Sequence, residues 1–416
     1  MSVVFQRPYQ FVPPDRNPLW PWLIQRLRIV DRYLKRKDGV VGYECRNLDR
    51  VRQSAQRGDG ILWAPNHCRY ADPLVLGWPS RELGIHVHAM ASWHLFNEGA
   101  FDRFAIRKMG GFSIHREGTD RQALESAIDI LVDTKRPLVL FPEGTTSRTN
   151  DLIIPLLDGV SFIARTAARR RAKSGSGDVM IFPVGIKYLC IDKIDDWAKD
   201  QLSRLERSFG WKHPPENSIP KRTIRLSETI LALHEIRCFG ESSSGDTSQR
   251  RAVLIQHLLS HCESVLQIQP SDRDVASGDL HTWQRSVLDR VRQIRSAVAS
   301  KYFAEHYPSP PCSKLVACVD DADLAQEQLS TPDDYLGKDV VTDTRIVESI
   351  QLMQESLFGK SDASLPLKAV VEFGEPIPVP SERAPRGEED PLMGQLRERL
   401  TNLVGKLSHE ARKWSD

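Results

Sequence analysis

The apolar residues of this chain come in short runs separated by helical patterns, and this alternation limits the possible folds more than any other feature. The runs Ile61–Pro65, Leu138–Phe141 and Met180–Ile186 have the length and composition of buried strands. Segments with the spacing of amphipathic helices separate them, most clearly Thr119–Thr134. Alternating strands and helices predict an α/β fold with a mostly parallel sheet flanked by helices.

Further strands are predicted at Val40–Cys45, Ile85–Ser92, Phe112–His115 and, late in the chain, Leu367–Phe373. Between the last two of these, residues 192–362 carry mostly long helical patterns. We therefore predict four parts: an N-terminal segment (1–38), an α/β core (39–191), a long α-helical insertion (192–362), and a last core strand with a C-terminal helix (363–416).

Composition excludes several classes of protein. No apolar run approaches the roughly 20 residues of a membrane-spanning helix, and the first residues lack the apolar segment of a signal peptide. The 57 basic and 55 acidic side chains give a net charge of +2, which argues against nucleic-acid binding driven by overall charge. The seven cysteines are scattered without a CxxC pair and are expected to be reduced. We expect a protein on the cytoplasmic side of the membrane.

Positive charge is concentrated near the N-terminus, where residues 1–37 hold eight basic and two acidic side chains. Residues 17–37 are predicted to form one helix that begins with two tryptophans. Its apolar stripe consists of Leu19, Leu23, Leu27, Val30 and Leu34. Two interpretations remain open: a helix lying in a membrane interface, or an amphipathic helix packed on its own domain.

His67 follows directly on the predicted strand Ile61–Pro65, and Asp72 follows it by five residues. Ligands of open α/β sheets bind at this edge, where an imidazole supported by a carboxylate can accept a proton from a hydroxyl group. Asp before Pro is also a common helix-capping pattern. The same spacing recurs at His115 and Asp120, but no Asn precedes that histidine and Asp120 lies in a helical first turn. The context favours His67.

A second segment with polar side chains, FPEGTTSR at residues 141–148, also follows an apolar strand. Glu143, Gly144 and Thr145 lie where the backbone leaves the sheet, and the glycine permits close approach of a ligand. Arg148 offers a planar fork to an anion such as phosphate. By itself, a turn of this composition is more often only a turn.

Together these segments resemble the four sequence blocks of the glycerophospholipid acyltransferase superfamily, which includes the 1-acylglycerol-3-phosphate acyltransferases. The blocks correspond, in family order, to Asn66–His67 with Asp72, Gly111 with Arg116, Phe141–Arg148, and a strand that contains Pro183. The resemblance covers residues 40–190 and 367–378, about 40 % of the chain. Four blocks in order, each at a strand end, make it specific.

The resemblance implies that His67 is the general base for a lysophospholipid hydroxyl and that Asp72 supports it. It also implies a set of substrate-binding residues: Asn66, Arg116, Glu143, Gly144, Thr145, Arg148 and Pro183. The expected co-substrate is acyl-CoA or acyl-carrier protein, with no cofactor and no metal, because a thioester is already activated. The expected acceptor is 1-acylglycerol-3-phosphate, reached by peripheral binding to the cytoplasmic face of the membrane.

One position departs from the family pattern. Many phosphatidate-forming members have arginine after Glu-Gly-Thr, whereas this chain has Thr146. The departure keeps open other acceptors, such as glycerol 3-phosphate or a lyso-aminolipid, and also a catalytically inactive membrane-bound scaffold. The role of the insertion stays open between capping the acyl site, lying on the membrane and binding a partner.

Overall fold

The computed structural model describes residues 5, 7–97, 99–116, 118, 120–212, 218–269, 279–330, 334–337, 339–382 and 390–415. The strands are β1 (Val40–Arg46), β2 (Gly60–Pro65), β3 (His88–Ser92), β4 (Gly111–Ile114), β5 (Leu138–Val139), β6 (Val179–Cys190), β7 (Leu367–Phe373) and β8 (Ile377–Pro378). The first helices are α1 (Leu19–Arg26), α2 (Ile29–Asp38), α3 (Leu48–Arg57), α4 (Asp72–Val75), α5 (Gly77–Leu83), α6 (Ala100–Lys108), α7 (Arg121–Asp133) and α8 (Gly159–Lys173). They are followed by α9 (Asp195–Ser208), α10 (Ile219–Phe239), α11 (Thr247–Leu266), α12 (Leu280–Glu305), α13 (Ser313–Gln328), α14 (Asp343–Phe358) and α15 (Pro391–Ser408).

The strands form one sheet in the order β1-β7-β6-β2-β5-β3-β4, and β8 pairs with β6. Strand β6 runs antiparallel to β7 and β8, while the other neighbours run parallel. The predicted α/β fold with a mostly parallel sheet is therefore confirmed. Because β2, β3, β4 and β5 run in the same direction, their carboxyl ends meet at one edge of the sheet.

The sheet is covered on both faces. Along β2, Ile61 and Trp63 belong to one buried cluster, which also contains residues of α3 and α5. Leu62 and Ala64 belong to a second cluster with residues of α7, α8 and α15. This alternation is the two-residue period of a strand, and burial of all six residues of β2 explains why its sequence is a continuous apolar run.

The N-terminal segment differs from its prediction, because residues 17–37 form two helices instead of one. Arg28 has a left-handed backbone with φ of 51°, which interrupts the helix between α1 and α2. The break divides the predicted apolar stripe. Leu34 is completely buried in the core, whereas Leu19 and Leu27 are 58 % and 48 % exposed. The residues before α1 pack beside β4, where Ser113 N–H donates to the carbonyl oxygen of Val12 (3.0 Å).

The predicted insertion contains α9 to α14, and these helices belong to two different cores. Residues of α9, α10 and α14, such as Ala198, Leu226 and Ile350, share the buried cluster on one face of the sheet. Helices α11, α12 and α13 pack around a separate cluster that includes Leu254 and Val291. Within the described residues, no helix combines the length and the apolar character needed to cross a membrane.

Candidate active site

The side chains of His67 and Asp72 meet at the carboxyl end of β2. His67 Nδ1 lies 2.9 Å from Asp72 Oδ2, and Thr146 Oγ1 lies 3.3 Å from the other ring nitrogen, Nε2. The His67 side chain is 15 % exposed and Asp72 is completely buried. A carboxylate at Nδ1 favours the tautomer that carries its proton there, so Nε2 is left as the acceptor facing a hydroxyl group.

Asp72 does not cap a helix through its side chain, because it is itself the first residue of α4. Its Oδ2 also accepts the backbone N–H of Arg69 (2.9 Å), and its Oδ1 accepts the phenol of Tyr188 (2.6 Å). Burial and the neighbouring Asp72 carboxylate raise the pKa of Tyr188, which keeps the phenol protonated and able to donate. Sequence reasoning did not find Tyr188, since it lies beyond the apolar run of its strand and no local motif marks it.

The second histidine with the same spacing is built differently. Asp120 accepts the backbone N–H of Ala123 as the N-cap of α7, and also the backbone N–H of His115 (both 3.0 Å). The His115 ring stacks on Tyr9, with ring centroids 5.1 Å apart. The carboxylate of Asp120 therefore binds backbone N–H groups and the phenol of Tyr9, whereas that of Asp72 contacts an imidazole.

The loop after β5 is fastened to the loop that carries His67. Glu143 is buried, and its Oε1 accepts the backbone N–H of His67 (2.6 Å) while its Oε2 accepts that of Ile154 (3.1 Å). Burial raises the pKa of Glu143 to about 8, although both N–H donors act in the opposite direction. Gly144 has φ of +68°, and a Cβ there would lie 2.3 Å from Leu157 Cδ1. The position therefore requires glycine.

Arg116 contacts this loop on the side that faces away from His67, and Thr145 is the loop residue that contacts the helical insertion. Arg116 Nη1 donates to the carbonyl oxygen of Gly144, and Thr145 Oγ1 accepts a hydrogen bond from Gln326 Nε2 of α13 (2.8 Å). These contacts bring Arg116, Glu143, Gly144 and Thr145 to one pocket. The same short loop thus contacts the general-base candidate on one side and an arginine on the other.

Arg148 and Asn66 are placed outside the residues that line this pocket. Arg148 forms an ion pair with Glu355 of α14, and its guanidinium lies over the Tyr70 ring, 4.8 Å from the centroid. Asn66 is completely buried, and its amide group donates to the carbonyl oxygen of Ile186 (3.1 Å) and accepts the Ile186 N–H (2.7 Å). Asn66 thus joins the loop after β2 to β6. The predicted role of both residues in substrate binding stays a prediction.

Pro183 lies in β6 beside Ala64 of β2, between the residues that pair with β7 and those that pair with β8. Its carbonyl oxygen accepts the N–H of Gly374 (2.8 Å). Because the antiparallel partner of β6 changes at this point, the missing N–H of proline interrupts no ladder. Pro183 contributes to the sheet beneath the site, and its predicted contact with substrate stays a prediction.

The arrangement is chemically suited to deprotonating a hydroxyl group. His67 Nε2 can accept such a proton, and the Asp72 carboxylate can stabilise the resulting imidazolium. Arg116 supplies a positive charge on the far side of the Glu143–Thr145 loop. Among the described residues, no three or more His, Cys, Asp or Glu side chains are grouped so that they could hold a metal ion.

Comparison with known proteins gives a consistent result. Residues 43–187 match the family described as Acyltransferase, and this range contains every site residue predicted from the sequence. The glycerol-3-phosphate acyltransferase of Baumannia cicadellinicola is 27 % identical over 176 residues, which cover 41 % of this chain and 21 % of that protein. That of Pseudoalteromonas atlantica is 26 % identical over 183 residues, which cover 42 % of this chain and 22 % of that protein. The chain thus spans about a fifth of the length of these curated relatives. Residues 43–187 form an acyltransferase domain of the glycerophospholipid acyltransferase superfamily.

Proposed function

We propose that this protein transfers a fatty acyl group from an acyl thioester to the free hydroxyl of a glycerol phosphate. The observation that carries the proposal is the position of His67, whose Nδ1 contacts Asp72 while its Nε2 lies 3.3 Å from a hydroxyl oxygen, that of Thr146. In this proposal the acceptor hydroxyl takes up a comparable position near Nε2.

The reaction begins when Nε2 of His67 accepts the proton of the acceptor hydroxyl. The acceptor oxygen attacks the thioester carbonyl carbon, a new C–O bond forms, and the C–S bond breaks. The departing thiolate receives the proton from His67, so the products are an ester and a free thiol. Asp72 stabilises the transient imidazolium. This scheme needs no acyl-enzyme, cofactor or metal, because the thioester supplies the activated acyl group.

Two acceptors fit this proposal. The motif resemblance favours 1-acylglycerol-3-phosphate, and we retain it as the first candidate. Glycerol 3-phosphate is the second candidate, because three relatives of this chain are named glycerol-3-phosphate acyltransferases. The donor is acyl-CoA or acyl-carrier protein. The complete His67–Asp72 pair argues against an inactive scaffold.

An acceptor panel with a thiol readout tests the proposal. The purified chain would be incubated with acyl-CoA, or with acyl-carrier protein, and with 1-acylglycerol-3-phosphate, glycerol 3-phosphate or a lyso-aminolipid. We expect thiol release that depends on a glycerol phosphate acceptor. Release only with the lyso-aminolipid would contradict the acceptor class, and no release with any acceptor would contradict the enzymatic function.

We also propose that α1 and α2 bind the cytoplasmic surface of a membrane. Large apolar side chains remain exposed on these helices and on the turn between them, namely Leu19, Trp22, Leu27, Ile29 and Tyr33. Exposed basic residues accompany them: Arg26, Arg28, Arg32, Lys35, Arg36 and Lys37. Apolar side chains that enter the acyl boundary, with cations at the headgroups, are typical of peripheral membrane segments.

Point substitutions test this membrane contact better than a truncation, because Leu34 belongs to the buried core. The double variant Trp22→Ser, Ile29→Ser should sediment with anionic vesicles at least tenfold less than the unmodified chain. Val253→Ser on α11 is the control, since its side chain is 58 % exposed and lies on another part of the protein. Equal sedimentation of all three proteins would remove α1 and α2 from the membrane contact.

A further inference from the structure

The pocket beside the Glu143–Thr145 loop is completed by the helical insertion. The core contributes Arg116, Glu143, Gly144 and Thr145. Helices α12 and α13 contribute Leu288, Arg292, Arg295 and Gln326. These side chains surround a small pocket that is partly open to solvent. We call this site the arginine pocket.

The insertion is fastened to the core at this place by two polar contacts. Arg285, near the start of α12, forms an ion pair with Asp158, which lies just before α8. Gln326 of α13 donates to Thr145 Oγ1 (2.8 Å). Both contacts join the insertion to core segments that flank the pocket.

The residues that α12 presents to the pocket share one helical face. Leu288, Arg292 and Arg295 are spaced by four and three residues, which is the spacing of neighbours on one side of a helix. Leu288 is buried and forms an apolar floor. The side chains of Arg292 and Arg295 are 25 % and 18 % exposed, so both guanidinium groups are partly withdrawn from water.

The arginine pocket brings three guanidinium groups together. Arg292 is paired with Asp289, and Arg295 Nε lies 3.1 Å from Asp323 Oδ1. Arg116 is the third guanidinium group in the lining. The carboxyl group of Glu143 is largely protonated at neutral pH because burial raises its pKa to about 8. A pocket lined by three planar donor groups suits a phosphate monoester.

The insertion thus adds two cations to the pocket that Arg116 lines. Arg292 and Arg295 of α12 line it together with Gly144 and Thr145. Thr146, at the position where many phosphatidate-forming members have arginine, lies beside His67 Nε2 instead. We propose that Arg292 and Arg295 bind the phosphate monoester of the acceptor together with Arg116, so that the insertion completes the acceptor site. This inference rests on the proposed function, which supplies the reacting hydroxyl next to that phosphate.

The test compares Arg292→Gln, Arg295→Gln and the double variant with the unmodified chain, using 1-acylglycerol-3-phosphate and glycerol 3-phosphate. A charge-assisted hydrogen bond contributes roughly 1.5–3 kcal/mol, so each single variant should raise the acceptor KM about tenfold or more, and the double variant about 100-fold. The KM for acyl-CoA should change less than twofold. Arg295→Lys keeps the positive charge but lacks the planar guanidinium group. Its acceptor KM should therefore lie between those of the unmodified chain and Arg295→Gln.

Arg204→Gln is the matched control. Arg204 is an exposed arginine of the same insertion, paired with Asp200 on its own helix (2.9 Å) much as Arg292 is paired with Asp289. This variant should retain the acceptor KM within twofold. Thermal unfolding followed by circular dichroism checks that all variants are folded. If the glutamine variants unfold, the folded Arg295→Lys variant decides, and an unchanged acceptor KM in it overturns the inference.

The phosphates of CoA have the same chemistry as the phosphate monoester of the acceptor. A second acyl donor that lacks the nucleotide distinguishes the two. If the variants raise the KM for acyl-CoA but leave that for acyl-pantetheine unchanged, the arginines bind the nucleotide phosphates and the acceptor assignment is overturned. If the unmodified chain shows no turnover, the proposed function fails and titration calorimetry with glycerol 3-phosphate decides this inference separately. Binding that is lost in the double variant supports it. Absent binding, or equal binding in both proteins, overturns it.

Discussion

The histidine centre, formed by His67, Asp72, Thr146 and Tyr188, differs from the arginine pocket in its origin. His67, Asp72 and Thr146 come from the loop after β2, from α4 and from the loop after β5, all within the acyltransferase domain, and Tyr188 of β6 directly follows that domain. The polar atoms of the centre are joined by hydrogen bonds. The arginine pocket is open, and half of its lining comes from α12 and α13. In the scheme that we propose, the domain carries the chemistry of transfer, while the insertion determines which acceptor is bound.

Removing the imidazole should have the largest effect. In His67→Ala no side chain can accept the hydroxyl proton, and a general base typically contributes 10²- to 10⁴-fold. We expect kcat to fall about 1,000-fold while the acceptor KM changes little, measured by thiol release. His115→Gln, at the other position with the same sequence spacing, should keep kcat within about threefold. A large loss in kcat for both variants would show that the histidine centre does not act alone.

Removing Arg116, the guanidinium group that the core contributes to the arginine pocket, should mainly change the acceptor KM and not kcat. Arg116→Gln takes one guanidinium from the pocket but leaves His67 and Asp72 in place. We expect the acceptor KM to rise roughly 10- to 100-fold, with a smaller change in kcat. A fall in kcat without any change in KM would contradict the assignment of transfer chemistry to the histidine centre and of acceptor binding to the arginine pocket.

Glu143 lies between the two regions and should make stability depend on pH. Its pKa is about 8 in the folded protein and near 4.5 when exposed, so the folded state holds the proton over this interval. The stability associated with it is complete below about pH 4.5 and is lost as the pH rises through about 8. Between pH 5.5 and 8 this loss reaches about 3 kcal/mol.

The variant Glu143→Gln cannot titrate and should lack this pH dependence in urea unfolding. It should also be less stable at low pH, because one amide oxygen replaces two acceptors for the N–H groups of His67 and Ile154. Glu398→Gln, an exposed position on α15, is the control and should retain the dependence. If the unfolding free energy of Glu143→Gln depended on pH as that of the unmodified chain does, the dependence could not be assigned to Glu143.

The phenol of Tyr188 should have a smaller effect, confined to the histidine centre. Tyr188→Phe removes the hydrogen bond to Asp72 Oδ1 (2.6 Å) and leaves that oxygen without its phenol partner. We expect a loss of about 1–2 kcal/mol in unfolding free energy and a three- to tenfold lower kcat. The acceptor KM should stay unchanged, so a change in KM would indicate that the two regions are coupled.

The contact between Gln326 and Thr145 should give the smallest effect. Gln326→Leu removes one neutral side-chain hydrogen bond between α13 and the core. Such a bond contributes about 1 kcal/mol, so the acceptor KM should rise less than about fivefold while kcat is retained. A loss of kcat would mean that the insertion also positions the histidine centre.

Local patterns predicted most of the strands and the pairing of His67 with Asp72, because both depend on residues that are close together in the sequence. Local patterns fail where a residue that is distant in the sequence changes the environment of a side chain. Strand β6 continues to Cys190, past the predicted end at Ile186, because the ammonium of Lys187 is paired with Asp151 and buried in the sheet region. The break at Arg28 occurs without Gly or Pro, so the helical periodicity of residues 17–37 predicted one helix.

The arginine pocket was not predictable from the sequence for a related reason. Arg292 and Arg295 are two of 57 basic residues, and α12 also carries Arg290, which pairs with Glu263 inside the insertion. Nothing in the local pattern distinguishes an arginine that faces the core from one that faces α11. Only the fold, which places Arg292 and Arg295 in one pocket with Glu143, Gly144 and Thr145, separates them.

The position of β7 in the sheet has a consequence for biosynthesis. Strand β7 lies between β1 and β6, and β1 has no other strand partner among the described residues. During translation, β1 therefore has no hydrogen bonds to a neighbouring strand until residues 367–373 leave the ribosome. The strands that carry the candidate site can assemble earlier, but the nascent protein keeps an incomplete sheet edge while the intervening helices are synthesised. Such long-range closure slows folding and exposes pairing surfaces, so we expect a need for chaperone protection until synthesis is nearly finished.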